Sequence, residues 1–109
     1  MNLVKIVVFV PKTHSEIVRK AMGDAGAGTI GSYSHCSFSI DGMGRYKPLE
    51  GAHPAIGEVG KFEGVEEERV ECVCEKSKAK EIISAIRKVH PYEEVAFDIY
   101  PLISEEELK

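Results

Sequence analysis

A chain of 109 residues is long enough for one globular domain, and its 43% hydrophobic and 29% charged residues are ordinary for such a protein. Fourteen basic against 18 acidic side chains give a net charge of -4, which argues against nonspecific binding to a nucleic-acid backbone. No apolar run approaches the roughly 20 residues of a membrane-spanning helix, and no basic leader opens the chain. We therefore expect a cytoplasmic protein without a nucleic-acid or membrane partner.

The first third of the chain predicts a strand followed by a helix. Residues 3–10 form a β-branched run ended by Pro11, which predicts a strand buried on both faces. Apolar residues at helical spacing between positions 17 and 25 predict an amphipathic helix. Residues 26–31 then match G-x-G-x-x-G, but they follow a helix instead of opening one. They therefore favour a helix C-cap over a dinucleotide-binding loop.

The middle of the chain predicts a pair of strands and a long loop. Residues 32–40 are extended, Asp41-Gly42 favours a hairpin turn, and residues 45–48 would form the return strand. Residues 49–64 are rich in glycine and proline without clean periodicity. Loops of this length inside a domain are usually functional or mobile.

The last part of the chain predicts another strand, helix and strand. Alternation over 65–75 predicts a strand, and residues 79–89 carry the apolar stripe of a helix that Pro91 ends. The final strand is predicted over 95–100. Acidic residues at 66–68 and 105–107 are expected to be solvated.

Together these elements predict an α+β protein with the order β-α-β-β-β-α-β. If the hairpin return is an insertion, the rest is a ferredoxin-like βαβ-βαβ sandwich with an extra β-hairpin strand. Residues 1–109 would form a single domain with an acidic tail at about 104–109.

Three cysteines are an odd number, which excludes pairing all of them within the chain. Cys72 and Cys74 lie on one face of a predicted strand and are expected to be buried, reduced and apolar in behaviour.

Tyr33, His35 and Cys36 are the first candidate site residues. On a strand Tyr33 and His35 share a face, whereas His35 and Cys36 diverge and cannot readily bind one ion together. A metal site would therefore need a further ligand from His53, His90 or a carboxylate that folding brings close. Zn or Cu would be the metal favoured by such ligands. The alternative is that these histidines are exposed or hydrogen-bonded, with no cofactor.

The second group of candidates is the run HPYEEVAFDIY at residues 90–100. Its polar members could act as acids or bases, but the residue pattern favours a structural role or a subunit or ligand contact over catalysis. His90-Pro91 would end the helix. Glu94 and Asp98 would share the strand face opposite the core. The candidates in this run are His90, Tyr92, Glu93, Glu94 and Asp98.

Six ordered segments carry a family resemblance over almost all of residues 3–103: 5–11, 26–38, 42–48, 51–57, 68–71 and 90–100. In them the chain resembles a stand-alone version of the inserted domain of the NIF-three-like (NGG-one-interacting factor three) family, of YqfO type.

The resemblance implies a ferredoxin-like fold akin to the PII and CutA proteins, which assemble as trimers through sheet edges. It also implies that the metal ligands of full-length family members lie in flanking halves for which this chain has no room. Their hydrolase-like chemistry is therefore not carried over, because fold alone does not establish function.

The leading hypothesis is a small module that forms homo-oligomers, with a trimer favoured, or senses a small-molecule ligand, without catalysing a reaction. The glycine-rich segments 26–31 and 51–60 and the 90–98 run would line its cleft. The alternative is a divalent-metal-binding protein that uses His35, His53 and His90.

Overall fold

The β-branched run at the start of the chain forms a central strand in the structure, a computed structural model that describes residues 2–109. The elements are β1 (Leu3–Pro11), α1 (Ser15–Asp24), β2 (Phe38–Tyr46), β3 (Glu63–Glu75), α2 (Ala79–Val89) and β4 (Phe97–Pro101). The strands form one antiparallel sheet in the order β2-β3-β1-β4. The predicted α+β, ferredoxin-like fold is confirmed.

The hydrophobic core lies between one face of the sheet and the two helices. β1 pairs with β3 from Leu3↔Glu75 to Pro11↔Glu67, so alternate residues of both strands point toward the helices. Among residues 2–109 neither helix is long and apolar enough to cross a membrane. The buried core cluster includes Val4, Ile6, Val8, Val10, Val18, Met22, Val70, Cys72, Cys74, Ile82, Ile83 and Ile86.

The two cysteines of β3 behave as the sequence predicts. Cys72 and Cys74 are buried and reduced. Burial raises the pKa of the Cys72 thiol to about 11. This thiol therefore stays protonated at neutral pH and acts as an apolar core group, because the thiolate is the reactive form.

The glycines after α1 form the predicted helix C-cap. Gly26, with φ of 111°, donates its N–H to the Gly23 carbonyl at 3.1 Å, and the Ala27 N–H reaches the Met22 carbonyl at 3.0 Å. This pair of bonds is the Schellman arrangement, in which glycine tolerates the left-handed conformation. Gly28 continues the connection by donating to the Val73 carbonyl at 2.8 Å, which ties the turn to β3.

The hairpin predicted at Asp41-Gly42 is wrong. Both residues lie inside β2, where Asp41 pairs with Glu68 and Gly42 with Glu67 across the ladder to β3. Asp41 also forms an ion pair with Lys12 at 3.1 Å. A continuous ladder of nine pairs outweighs the local turn preference of two residues, so residues 2–109 contain four strands and no extra β-hairpin strand.

The strand predicted over residues 32–40 begins later than expected. Residues 31–37 are irregular, with an isolated bridge between Ile30 and Tyr33, and His35 has a φ of 59°. Tyr33, His35 and Cys36 therefore do not alternate across a strand. The path of residues 31–37 is set by the preceding glycine-rich turn, which is bonded to Val73. It is not set by the alternation of residues within the segment.

Candidate functional site

The sheet face away from the helices is open and partly apolar. Residues directly opposite in an antiparallel pair share a face, so Phe38 and Ile40 lie on this open face with their partners Glu71 and Arg69. Phe38 is 63% exposed and Ile40 is 50% exposed. Large apolar side chains grouped on an uncovered surface are typical of an interaction site.

A cavity of about 790 Å³ opens at one end of this face. Its walls come from β2, from the loop at residues 47–55, and from the segment at residues 92–96. Such a volume suits a small organic molecule. The apolar walls include Phe9, Ile40, Met43, Tyr46, Pro48, Leu49, Ala52, Pro54, Ala55 and Ala96. The charged residues that line it are Asp41, Arg45, Lys47, Glu67, Arg69, Glu93 and Glu94.

Glu67 and Tyr92 form the polar floor of the cavity. Glu67 is only 8% exposed, and its Oε2 accepts a hydrogen bond from the Tyr92 hydroxyl at 3.0 Å. Burial, then the bond to the Glu67 carboxylate, strongly raise the pKa of Tyr92. Tyr92 therefore stays a neutral donor. Its ring meets that of Tyr46 edge-on with centroids 5.9 Å apart.

Gly44 leaves the space that the Glu67 side chain occupies. A Cβ at position 44 would overlap Glu67 Oε1 and would lie 2.9 Å from Oε2. The same atom at Gly42 would have open space around it. A side chain at position 44 would therefore force the end of the Glu67 side chain to move, since the carboxylate crosses β2 there.

Two hydrogen bonds hold the long loop against the cavity. The Tyr46 hydroxyl donates to the Ile56 carbonyl at 2.6 Å. The backbone N–H of His53 donates to Glu93 Oε1 at 2.8 Å. The loop therefore has a defined position, and His53 contributes to it through its backbone while its side chain stays exposed.

His90 is a structural residue beneath this site. Its Nε2 donates to the Phe9 carbonyl at 2.8 Å, and its Nδ1 accepts the backbone N–H of Tyr92 at 3.1 Å. A carbonyl can only accept and an N–H can only donate, so these partners fix one neutral tautomer. Burial lowers the pKa of His90. α2 ends before His90-Pro91 as predicted, with His90 as its C-cap residue, and the ring reaches β1.

The remaining predicted residues divide between the cavity and other places. Tyr92, Glu93 and Glu94 line the cavity, whereas Asp98 lies opposite Val7 on the open face. The lining residues do not include the predicted candidates Tyr33, His35 and Cys36.

His35 is tied to the end of α1. Its Nε2 lies 2.9 Å from Asp24 Oδ1 and its Nδ1 lies 2.8 Å from Ser34 Oγ. Within residues 2–109 no three His, Cys, Asp or Glu side chains are grouped to hold a metal ion. His35, His53 and His90, the ligands of the alternative Zn or Cu hypothesis, are therefore not grouped within residues 2–109.

Sequence reasoning missed Glu67, Gly44 and Tyr46. The acidic run at 66–68 was expected to be solvated, but Glu67 is buried and Glu68 accepts bonds from Ser15 at 2.6 Å and Arg19 at 3.1 Å. The alternation of β3 contained the missing signal. Extended back from Val70, it places Glu68 on the helix side and Glu67 on the open side.

Similarity to known proteins covers nearly the whole chain. The chain is 59% identical over 100 residues to a Bacillus subtilis protein named GTP cyclohydrolase 1 type 2 homolog, covering 92% of this chain and 27% of that protein. A protein of the same name from Mycobacterium tuberculosis is 51% identical over 102 residues, covering 94% and 27%. The chain thus spans about a quarter of the length of these curated relatives. A scan against protein-family models finds no match.

Solved structures show the same fold. A Bacillus cereus protein related to NIF3 has a TM-score of 0.82 at 51% identity, covering 94% of this chain and 26% of that one. The periplasmic divalent cation tolerance protein CutA from Archaeoglobus fulgidus has a TM-score of 0.69 at 17% identity, covering 98% and 88%. The CutA match concerns the fold alone. Together the relatives confirm the family resemblance over the shared segment.

The neutral His90 predicts a pH-dependent loss of stability. Because the folded-state pKa lies below the usual 6.5, the unfolded chain binds the proton more readily. The stability from His90 is full above pH 6.5 and is lost as the pH falls toward the folded-state pKa, with a slope of at most about 1.4 kcal/mol per pH unit. Urea unfolding between pH 8 and 4.5 measures the free energy of unfolding. As the pH falls, this free energy should decrease less steeply for His90→Gln than for wild type.

Other groups also titrate in this range, so the difference between wild type and variant is the informative quantity. His53→Gln, which removes an exposed ring, is the matched control and should follow the wild-type curve. Equal slopes for wild type and His90→Gln would contradict the structural role given to this ring.

The space left by Gly44 predicts unequal effects of two alanine substitutions in β2. Gly44→Ala should displace the Glu67 carboxylate from Tyr92 and destabilise the fold by about 1 kcal/mol, because the hydrogen bond between them is lost. Gly42→Ala, with open space, should be neutral or stabilise by up to about 1 kcal/mol. Urea unfolding followed by tyrosine fluorescence measures both, since the chain has no tryptophan. A Gly42 variant as unstable as the Gly44 variant would refute the steric explanation.

Proposed function

We propose that this chain, a small module homologous to one segment of the NIF-three-like family, binds a small-molecule ligand, associates with copies of itself and catalyses no reaction. The observation that carries the proposal is the uncovered face of the sheet. It bears exposed apolar side chains on β2 and the cavity of about 790 Å³. The name of the curated relatives refers to proteins about four times as long, so their activity is not part of the proposal.

The geometry of the cavity supports binding more than chemistry. The two ring nitrogens of His90 are both occupied, and Tyr92 is held in its neutral form by burial and by Glu67. A general acid or base must exchange a proton with a substrate near neutral pH. These two residues instead fix the shape of the floor against which a ligand would lie.

Self-association is proposed from the open face and from the edge strand. β2 is the sheet edge, and nine of its backbone positions pair with β3 on one side only. An edge with exposed apolar side chains readily accepts another chain. The trimer implied by the family resemblance is the state we favour, in a cytoplasmic setting.

Light scattering after size-exclusion chromatography at micromolar concentration tests the association. We expect a mass above that of a monomer, with a trimer favoured. Phe38→Glu should weaken association at least about tenfold, because it places a charge in the apolar contact. Ile17→Glu is the matched control, since Ile17 is 53% exposed on α1 at the other side of the molecule. A strict monomer for the wild-type chain would refute this part of the proposal.

Fragment binding tests the cavity. Indole and benzamide at millimolar concentration should shift the amide NMR signals of Gly42, Gly44 and Tyr92, which lie at the cavity, and leave those of Gly26 and Gly28 unchanged.

A pair of leucine variants provides the control for the fragment experiment. Leu49→Asp should weaken fragment binding because Leu49 lines the cavity and is 69% exposed. Leu108→Asp should not, because Leu108 is 68% exposed but lies near the chain end. Shifts confined to other surfaces would contradict a ligand site here.

A further inference from the structure

The buried carboxylate of Glu67 is incompletely paired. Within residues 2–109 its hydrogen bond is the one that Oε2 accepts from Tyr92, and Oε1 accepts none. No side-chain polar atom among the described residues is both buried from solvent and without a partner. Oε1 must therefore be reachable, and because Glu67 lines the cavity the open path is from the cavity.

No cationic side chain of residues 2–109 forms an ion pair with this carboxylate. Arg69 is directed to Glu71, with Nε 3.1 Å from Oε2, and its guanidinium lies over the Phe9 ring. Lys47 lies over Phe62 at 5.1 Å from the ring centroid. None of the ion pairs formed within residues 2–109 includes Glu67. A buried charge is costly unless it is paired.

The groups around Glu67 leave its charge uncompensated. Tyr92 and His90 are both neutral, and Glu93 and Glu94 are further carboxylates among the residues that line the cavity. Glu93 is engaged by the His53 backbone N–H. The other walls near the floor are Phe9, Tyr46 and Ala96, which offer an apolar body a contact surface. A charged group in such surroundings interacts strongly with an opposite charge.

We propose, resting on the proposed ligand-binding function, that the cavity selects a small molecule with an apolar or aromatic body and a cationic N–H head, an amine or an amidinium, that pairs with Glu67. The head donates to Oε1, which accepts no hydrogen bond from the described part of the chain. The body packs on the Phe9 and Tyr46 side of the cavity. Arg45 and Lys47 also line the cavity and would favour an anion instead, so probes of opposite charge test the assignment directly.

The test uses three probes that share one ring and differ in charge: benzamidine is cationic, benzamide is neutral and benzoate is anionic. We expect benzamidine to bind at least about tenfold more tightly than benzamide, and benzoate most weakly, because charge-assisted bonds are the stronger ones. Calorimetry gives the affinities. The amide signals of Gly42, Gly44 and Tyr92 report whether each probe occupies the cavity.

Substitutions test whether Glu67 causes the preference for the cationic probe. Glu67→Gln keeps the shape and should lower benzamidine affinity at least about tenfold while leaving benzamide unchanged. Glu66→Gln alters the exposed neighbour of Glu67 and should change neither the benzamidine nor the benzamide affinity. Tyr92→Phe keeps the carboxylate and should retain or increase benzamidine affinity, which provides a second test if Glu67→Gln does not fold.

The outcomes separate the two proposals. Equal binding of the three probes in the cavity, tighter binding of benzoate, or an unchanged benzamidine affinity in Glu67→Gln would overturn the cationic assignment and leave ligand binding standing. Absence of cavity shifts with all three probes would overturn the ligand-binding function as well.

Discussion

The His90 ring joins strand β1 to the segment after α2, whose residues Tyr92 and Glu93 line the cavity. It donates to the carbonyl of Phe9 in β1 and accepts the N–H of Tyr92, immediately after the end of α2. The segment that follows the helix is therefore held against the central strand before β4 begins. Tyr92 is thereby aimed at Glu67 in β3, and Glu93 at the loop that closes the cavity. One neutral side chain thus couples the core to the floor and the wall of the cavity.

The elements with strong local signals were predictable from the sequence. The β-branched run of β1, the apolar stripe of α2 and the glycine cap after α1 are each specified within about a dozen residues, so local pattern was sufficient. The buried thiols of Cys72 and Cys74 followed from alternation in the same way. The candidates at residues 92–94 also lie at the cavity, because the polar residues of that run border a strand start.

The remaining features of the fold and the site depend on strand register, which a local sequence pattern does not specify. Asp41-Gly42 has the composition of a turn, yet pairing with Glu67 and Glu68 extends β2 through it. At the floor of the cavity Gly44 and Glu67, which are 23 positions apart in the sequence, meet across that same ladder. His35 was a candidate metal ligand only in the alternative hypothesis, and its partner Asp24 is brought close by the turn after α1. Such contacts are set by tertiary pairing and were not accessible to motif reasoning.

Ile40 lies where the two proposed activities, self-association and ligand binding, meet. Its side chain is half exposed on the open face next to Phe38, and it also lines the cavity. Under the proposed function, a neighbouring copy and a ligand would both contact this part of β2. Linkage requires that any effect of the ligand on association equals the effect of association on ligand affinity. A module that binds a ligand beside its own contact surface can therefore report that ligand as a change of assembly, without a catalytic step.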